Sequence, residues 1–504
     1  MFKNILANII GRFWSVFSNY LFIPLYIKIL GMESYSFISF SFVIFGIISI
    51  LDSGLTATLS KEFASHQKTT EDKLKLLSTL EFFFLILIAS LIAVFFLFSG
   101  SISEKWLHLN SLNPEEAAFY LKILGVGLSF QLLSNFYMGG MIGLENQILA
   151  NKYQIAFGVL KNGVVILIIL AKPSLLYFFL WQTIVTVSYV VFLRYKLQSY
   201  ILGKKYFSLQ IKFDKTVFLY VWKFAGGMLV ISIVASINTQ LDKIVISKLL
   251  SIDQLGIYNI AGTLSQSLFV LVTPISMALL PRFTALYTTR DIASAGNLFH
   301  KFLLILSVLI FSVSANLIFG STQIIWAWTG NANIAEVASK YVAFMIFGNS
   351  LLVLMMLPFD IAIANGYTKL NNIVGILSIC FTIPAYLYTV RNFGPQGAAI
   401  SWVSLQIIVA PIYFHLINKR FLNIKDSFTM FILDILRPML VAFVFAGIFS
   451  FFSPDTPNRI IPIIWFIGCV LITTLLNMLI VLPRTEIKNH RRFIFNYFNS
   501  LISK

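Results

Sequence analysis

The stretch NTQLDKIVISK, residues 238–248, lies in a run that is otherwise apolar from Phe218 to Leu250. A run of that length can cross a bilayer, which needs about 20 mostly apolar residues. Yet it carries Asn238, Gln240, Asp242, Lys243 and Lys248. A charge at the centre of a membrane helix costs about 2.5–3.5 kcal/mol on insertion scales. Residues that bear such a cost face a bundle interior or a wet cavity rather than lipid. The stretch therefore points to a helix that walls a polar interior.

The rest of the chain requires a membrane. It is 58% hydrophobic and 11% charged, with a mean hydropathy of +0.86. A soluble globular chain is about 25% charged; here there are too few polar residues to cover an aqueous surface. About fourteen spans are expected, near 5–30, 35–59, 79–99, 117–143, 153–171, 175–193, 218–250, 256–280, 299–320, 338–364, 370–390, 396–418, 431–452 and 460–482. The first is interrupted by Asn8, Arg12 and Asn19 and reaches Pro24 without a small-residue cleavage site. It is read as a retained first helix, not a secretory leader.

Placing the N-terminus inside puts Lys61, Lys73, Lys75, Lys152, Arg194, Lys204, Lys205, Arg282 and Lys419 in inner connections. The outer side then holds only Lys28, Lys105, Lys172, Lys248, Arg391 and Arg459. The asymmetry predicts that both termini are cytoplasmic. The formal net charge of +17 then faces an anionic leaflet and needs no nucleic acid. The segment 61–77 is charged and amphipathic, and is read either as a helix along the inner surface or as a solvated loop.

The longest inner connection, 194–217, is basic and falls near the middle of the first twelve spans. When the first span is laid on the seventh, YIKILGMESYSF (26–37) falls on ISKLLSIDQLGI (246–257). Lys28 meets Lys248, Leu30 meets Leu250 and Glu33 meets Asp253. The expected architecture is all-α and polytopic: a six-helix lobe over 1–205, a second over 206–418, and two further helices with a basic tail over 419–504. Repeats of this kind place a transport site between the lobes.

Helical spacing sorts the embedded polar residues onto faces. Asn8, Arg12, Ser15 and Asn19 form one stripe; Ser232, Ser236, Thr239 and Lys243 form another, with Asn238 and Asp242 alongside. Asn259, Thr263 and Gln266 make a third, and Gln131 and Asn135 are one turn apart. Two readings stand for each stripe: helix packing through small polar residues, or a cavity wall. Lys28 and Lys248 lie near outer span ends and either snorkel or serve the cavity. Lys161 lies within the fifth span. Asp52, Asp242 and Asp360, the last just after Pro358, are the candidate sites for a coupling H+ or Na+.

Little points to covalent chemistry. Cys380 and Cys469 sit in apolar runs, and the five histidines are far apart. No zinc, P-loop, nucleophile-elbow or dinucleotide fingerprint occurs. No catalytic residue, metal or cofactor is expected.

Two segments carry a family resemblance. IPLYIKILGMESYSFISF (23–40), followed by ILDSGLTATLSKEFA (50–64), resembles the start of the Wzx-type polysaccharide and O-antigen flippases. NTQLDKIVISKLLSIDQLGIYNIAGTLSQ (238–266), then ISMALLPRFTALY (275–287), resembles their seventh and eighth helices. The superfamily also holds multidrug extruders and the lipid II flippase. The resemblance spans essentially the whole chain, and its motifs identify the superfamily rather than the substrate. It implies two six-helix lobes around a central cavity and alternating access. It implies movement of an undecaprenyl-diphosphate-linked oligosaccharide across a bacterial inner membrane, coupled to an ion gradient, with a polysaccharide polymerase and a chain-length regulator as protein partners. The cationic cavity it implies maps onto Arg12, Lys28, Lys243 and Lys248. Lys161, outside the matching motifs, is added to that set, with Asn19, Asn238 and Gln240 as amide contacts.

The sequence leaves three other readings open. A lipid II flippase would share the plan. A multidrug cation antiporter would favour an acidic, aromatic chamber, whereas the embedded excess here is basic. A polymerase or ligase would be expected to carry a substantial outer loop with catalytic Arg or His, and the outer connections here are short.

Overall fold

The structure is a computed structural model that describes residues 18, 20–65, 69–206, 208, 211–422 and 426–482. Arg12 and Asn19 lie outside the described residues, as do the rest of the first polar stripe and the basic tail after Leu482. The described chain is helical, and its one β-bridge joins His108 to Ser251.

The helices run α1 (Tyr20–Leu30), α2 (Met32–Ile48), α3 (Ile50–Ala64), α4 (Thr70–Ser101) and α5 (Pro114–Gly143). Next come α6 (Gln147–Gly158), α7 (Val164–Ala171), α8 (Leu175–Leu202), α9 (Lys215–Leu249) and α10 (Ile252–Thr288). They continue as α11 (Ile292–Phe319), α12 (Ser321–Thr329), α13 (Ala332–Leu354), α14 (Met356–Ala364) and α15 (Lys369–Ile417). The last are α16 (Ser427–Phe431), α17 (Arg437–Ser450) and α18 (Ile460–Val481). Short π-helical turns extend or join several of them, at Ile102–Trp106, Val159–Gly163, Asn418–Leu422 and Ile432–Leu436.

Local chemistry sets the helix ends. Thr69 accepts from the Asp72 amide at 3.2 Å while the Asp72 carboxylate accepts from the Thr69 amide at 3.1 Å, a capping box that starts α4. Asn113, Asp214, Asp291, Asn331 and Asp426 cap α5, α9, α11, α13 and α16. Gly31 turns the chain between α1 and α2 at φ 86°, a conformation other residues resist. The expected surface helix over 61–77 is not a single element. Lys61 closes α3, whereas Lys73 and Lys75 open α4, because the Thr69 cap starts a new helix there.

Eleven described helices are long and apolar enough to cross a bilayer. The one assigned over Lys369–Leu422 breaks at Gly394, where φ is 60° and ψ is −149°, so its two legs cover the expected spans near 370–390 and 396–418. The helix α9 is unbroken from Lys215 to Leu249 and covers the expected span near 218–250. Only Tyr20–Leu30 of the first expected span forms a described apolar helix.

The chain divides into two compact units, one of residues 1–259 with 375–395 and one of 260–374 with 396–504. In the first, α3 and α5 approach closely. A methyl group on Gly139 would lie 2.5 Å from Thr56 Cγ2, and one on Gly143 would lie 2.5 Å from the Ser60 carbonyl. Small residues permit this contact, as is usual where lipid supplies no hydrophobic drive. Phe84 and Phe136, both fully buried, fill the adjoining space with ring centres 4.4 Å apart. In the second unit, α11 meets α17 and α18. Asn316 donates to Thr473 Oγ1 at 3.1 Å and Asn477 donates to the Pro438 carbonyl at 2.9 Å. Large apolar side chains such as Leu97 and Leu471 are mostly exposed, which suits a surface wetted by lipid.

Candidate functional site

Two polar stations sit in the first unit. On α9, Asn238 donates to the carbonyls of Val234 (2.9 Å) and Gly375 (3.1 Å), so its amide ties α9 to α15. Gln240 packs over Gly46 of α2; a Cβ on that glycine would come within 2.6 Å of the Gln240 amide group. Asp242 accepts from the Lys243 amide at 2.8 Å and from the Tyr258 hydroxyl at 2.8 Å. The Lys243 side chain folds back, with Nζ 2.9 Å from the Thr239 carbonyl and 3.4 Å from Asp242 Oδ1. Adjacent residues do not share a helix face, but the long lysine stem bridges the gap. With 13% and 17% of their side chains exposed, the pair is mostly withdrawn and locally neutral.

The second station joins α5, α6 and α8. Lys161 occupies the π-helical turn Val159–Gly163, where the ordinary helical bonding pattern is displaced. Trp181 and Gln182 of α8 donate to the carbonyls of Leu160 and Lys161 at 2.9 and 3.0 Å. The Lys161 ammonium meets Gln131 Oε1 at 2.7 Å and lies 5.3 Å from the centre of the Phe157 ring. Gln131 in turn donates to Ser134 Oγ at 2.8 Å. Among the described residues no ion pair includes Lys161. This side chain is held by an amide oxygen and an aromatic face, both neutral.

Lys28 is exposed on α1. Lys248 is taken up by the segment after α4: its Nζ donates to the Lys105 carbonyl at 2.5 Å and lies 5.3 Å from the Trp106 ring centre. Asp52 is buried on α3 and accepts from the Thr56 hydroxyl one turn on. In the second unit Asp360 is buried and accepts from Ser276 Oγ at 2.6 Å, joining α14 to α10. Each of these two carboxyls is paired with a hydroxyl, a partner that suits a protonated or ionised acid.

Arg194, expected from the sequence in an inner connection, is not a loop charge. It is buried in α8, and its guanidinium forks onto Glu81 of α4 at 3.0 and 2.9 Å. It also donates to the Ser208 carbonyl of the connection that follows α8. The missed signal was Glu81 itself, an acid in an apolar span that had to find a partner.

The family model for polysaccharide biosynthesis protein matches residues 1–287, more than half of the chain. The chain belongs to the polysaccharide biosynthesis protein family. The MatE family model also matches, over residues 228–387. A Shigella flexneri protein named as a candidate O-antigen transporter is 20% identical over 407 residues, covering 79% of this chain and 93% of its own. Among solved structures, the lipid II flippase MurJ in an inward closed conformation superimposes with a TM-score of 0.73 at 17% identity. It covers 96% of this chain and 100% of its own. An inward-facing multidrug resistance MATE family transporter gives a TM-score of 0.66 at 14% identity, covering 81% and 94%. The resemblance to Wzx-type flippases therefore holds at the level of family and fold. This polysaccharide biosynthesis protein is a multi-pass membrane protein with the fold of that exporter superfamily, and its relatives are transporters and flippases.

Proposed function

We propose that this chain is a flippase that moves an undecaprenyl-diphosphate-linked oligosaccharide, an O-antigen or capsule repeat unit, from the inner to the outer leaflet of a bacterial inner membrane. Moving a hydroxyl into a medium without hydrogen-bond partners costs about 4–8 kcal/mol. A glycan with many hydroxyls and a diphosphate therefore needs a polar, cationic route. Amide side chains such as Gln131, Asn238 and Gln240 replace water's hydrogen bonds, while Arg12, Lys28, Lys161, Lys243 and Lys248 form the cationic set. The lipid tail stays in the bilayer and trails between the two six-helix lobes as they open alternately.

The observation that carries this reading is Lys161, an embedded basic residue that, among the described residues, is bonded to neutral groups, in a family defined by polysaccharide biosynthesis. Asp52, Asp242 and Asp360 are the coupling carboxyls for H+ or Na+. One charge crossing 100 mV supplies about 2.3 kcal/mol, which suffices to bias an alternating equilibrium. Lys and Arg bias puts both termini in the cytoplasm. A polysaccharide polymerase and a chain-length regulator would receive and extend the product.

Gene deletion followed by analysis of lipid-linked intermediates tests this. Loss of surface polysaccharide with accumulation of the undecaprenyl-diphosphate-linked repeat unit on the inner leaflet is the expected result. Rescue of a strain lacking lipid II flipping, with normal surface polysaccharide in the deletion strain, would replace this reading with the lipid II one.

A further inference from the structure

At one end of the first unit, the two arms of the internal repeat meet each other. Glu33 opens α2 and Asp253 opens α10, and the repeat makes them equivalent. Both bind the same residue of the segment between α4 and α5. The Asn110 amide donates to Glu33 Oε1 at 2.6 Å, and the Asn110 side chain donates to Asp253 Oδ2 at 2.7 Å. Glu33 also accepts from the Ser111 amide at 2.9 Å, from the Ser111 hydroxyl, and from the Leu112 amide at 3.3 Å.

The helices beneath this junction are in direct contact. One turn on, Ser36 and Gly256 are again equivalent in the repeat. A Cβ on Gly256 would lie 2.0 Å from Ser36 Oγ, so α2 and α10 touch at a place where only glycine fits. The same segment holds the junction of α9 and α10: Trp106 donates to Ser247 Oγ of α9 at 3.1 Å, and Ile252, the first residue of α10, donates to the His108 carbonyl at 3.1 Å.

We infer that Glu33, Asn110 and Asp253 form a latch that seals the outer end of the transport route and must part for the glycan to leave. The inference rests on the flippase reading for direction, because the charge bias that makes the termini cytoplasmic makes this end periplasmic. Three features fit a seal that opens. The bonds are polar and lie at an exposed rim, where water can replace them. The helix contact beneath them is a glycine notch filled by the small Ser36 side chain and the flexible end of Met32. The two acids converge on a neutral amide, so each release exposes a carboxylate to water at little cost.

The test uses the full-length protein in spheroplasts, with Cys380→Ser and Cys469→Ala as background. The reporter is Ser39→Cys, fully buried on α2 just below the junction, probed from outside by a membrane-impermeant maleimide. Glu33→Gln, Asn110→Ala and Gly256→Val, each checked for membrane abundance, are expected to raise its labelling rate about tenfold by shifting the equilibrium toward the open state. Asn110→Cys with Asp253→Cys, bridged by oxidation, is expected to stop surface polysaccharide export, and reduction should restore it. Labelling unchanged in all three variants, or full export by the bridged protein, would overturn the latch. Labelling reports opening whatever the cargo. A raised rate with no deletion phenotype would therefore sink the flippase reading and leave the latch, and the converse would sink the latch alone.

Discussion

Lys243 and Lys161 are both embedded lysines of the first unit, and the structure treats them differently. Lys243 folds onto its neighbour Asp242, which also takes the Tyr258 hydroxyl. Lys161 sits in a π-helical turn and meets Gln131 and Phe157, with no acidic partner among the described residues. One charge is settled within its own helix, whereas the other has no acidic partner among the described residues. Embedded basic residues therefore cannot be counted as equal contributors to a cationic route, because what matters is the charge that remains after local pairing. Arg194, forked onto Glu81 with both groups buried, marks the fully settled extreme.

That ranking can be broken from its paired end. Removing one partner of a buried ion pair costs about 3–5 kcal/mol. Arg194→Ala should therefore give the largest stability loss, seen as a lowered melting point in detergent and reduced membrane abundance. Normal abundance would mean that the pair is not what anchors the connection after α8. Asp242→Asn is expected to cost less, about 1–3 kcal/mol, because its pair is partly exposed. The double variant with Lys243→Gln should recover most of the loss, and a failure to recover would show that the Tyr258 contact, not the charge, holds this part of α9.

The unpaired lysine predicts a different phenotype. Lys161→Ala should cut export of surface polysaccharide about tenfold, equivalent to about 1.4 kcal/mol, with unchanged melting and abundance. Lys161→Arg should retain most activity, since a guanidinium can also bind a diphosphate. If Lys161→Ala reduced stability and not export, the two lysines would be alike after all.

The smallest effects belong to the helix caps outside the spans. Hydrogen bonds from Thr216, Ser294 and Thr429 hold the Asp214, Asp291 and Asp426 carboxyls below the usual range. A depressed folded-state value means that the contribution is complete above the unfolded value of about 3.9 and is lost as pH falls through the folded one. Amide exchange at the first turns of α9, α11 and α16 should therefore speed up only below about pH 4. No acceleration there would mean that the caps are not needed to hold these turns.

Much of this was legible in the chain alone. The α9 stretch announced a polar helix, and apolar runs located nearly every span, because lipid requires long apolar helices whatever their neighbours. The equivalence of Glu33 and Asp253 was also readable as a short repeat. Their shared partner Asn110 was not, since it lies in a connection with no pattern of its own. The burial of Arg194 was not legible, because a basic residue at a span end normally meets water and only packing brings Glu81 to it. The π-helical turn at Lys161 left no signature in the residue types.

The sequence by itself determined that this protein lives in a bilayer as a bundle of helices and that certain spans carry groups lipid will not tolerate. Those outcomes follow from transfer energies, which depend on residue type and local length. Only the tertiary structure decided which of those groups neutralise one another, which hold helices together and which stay uncommitted. Charge pairing and hydrogen bonding act over a few ångströms, between residues whose separation along the chain, as from Glu81 to Arg194 or Glu33 to Asn110, says nothing of their distance in space.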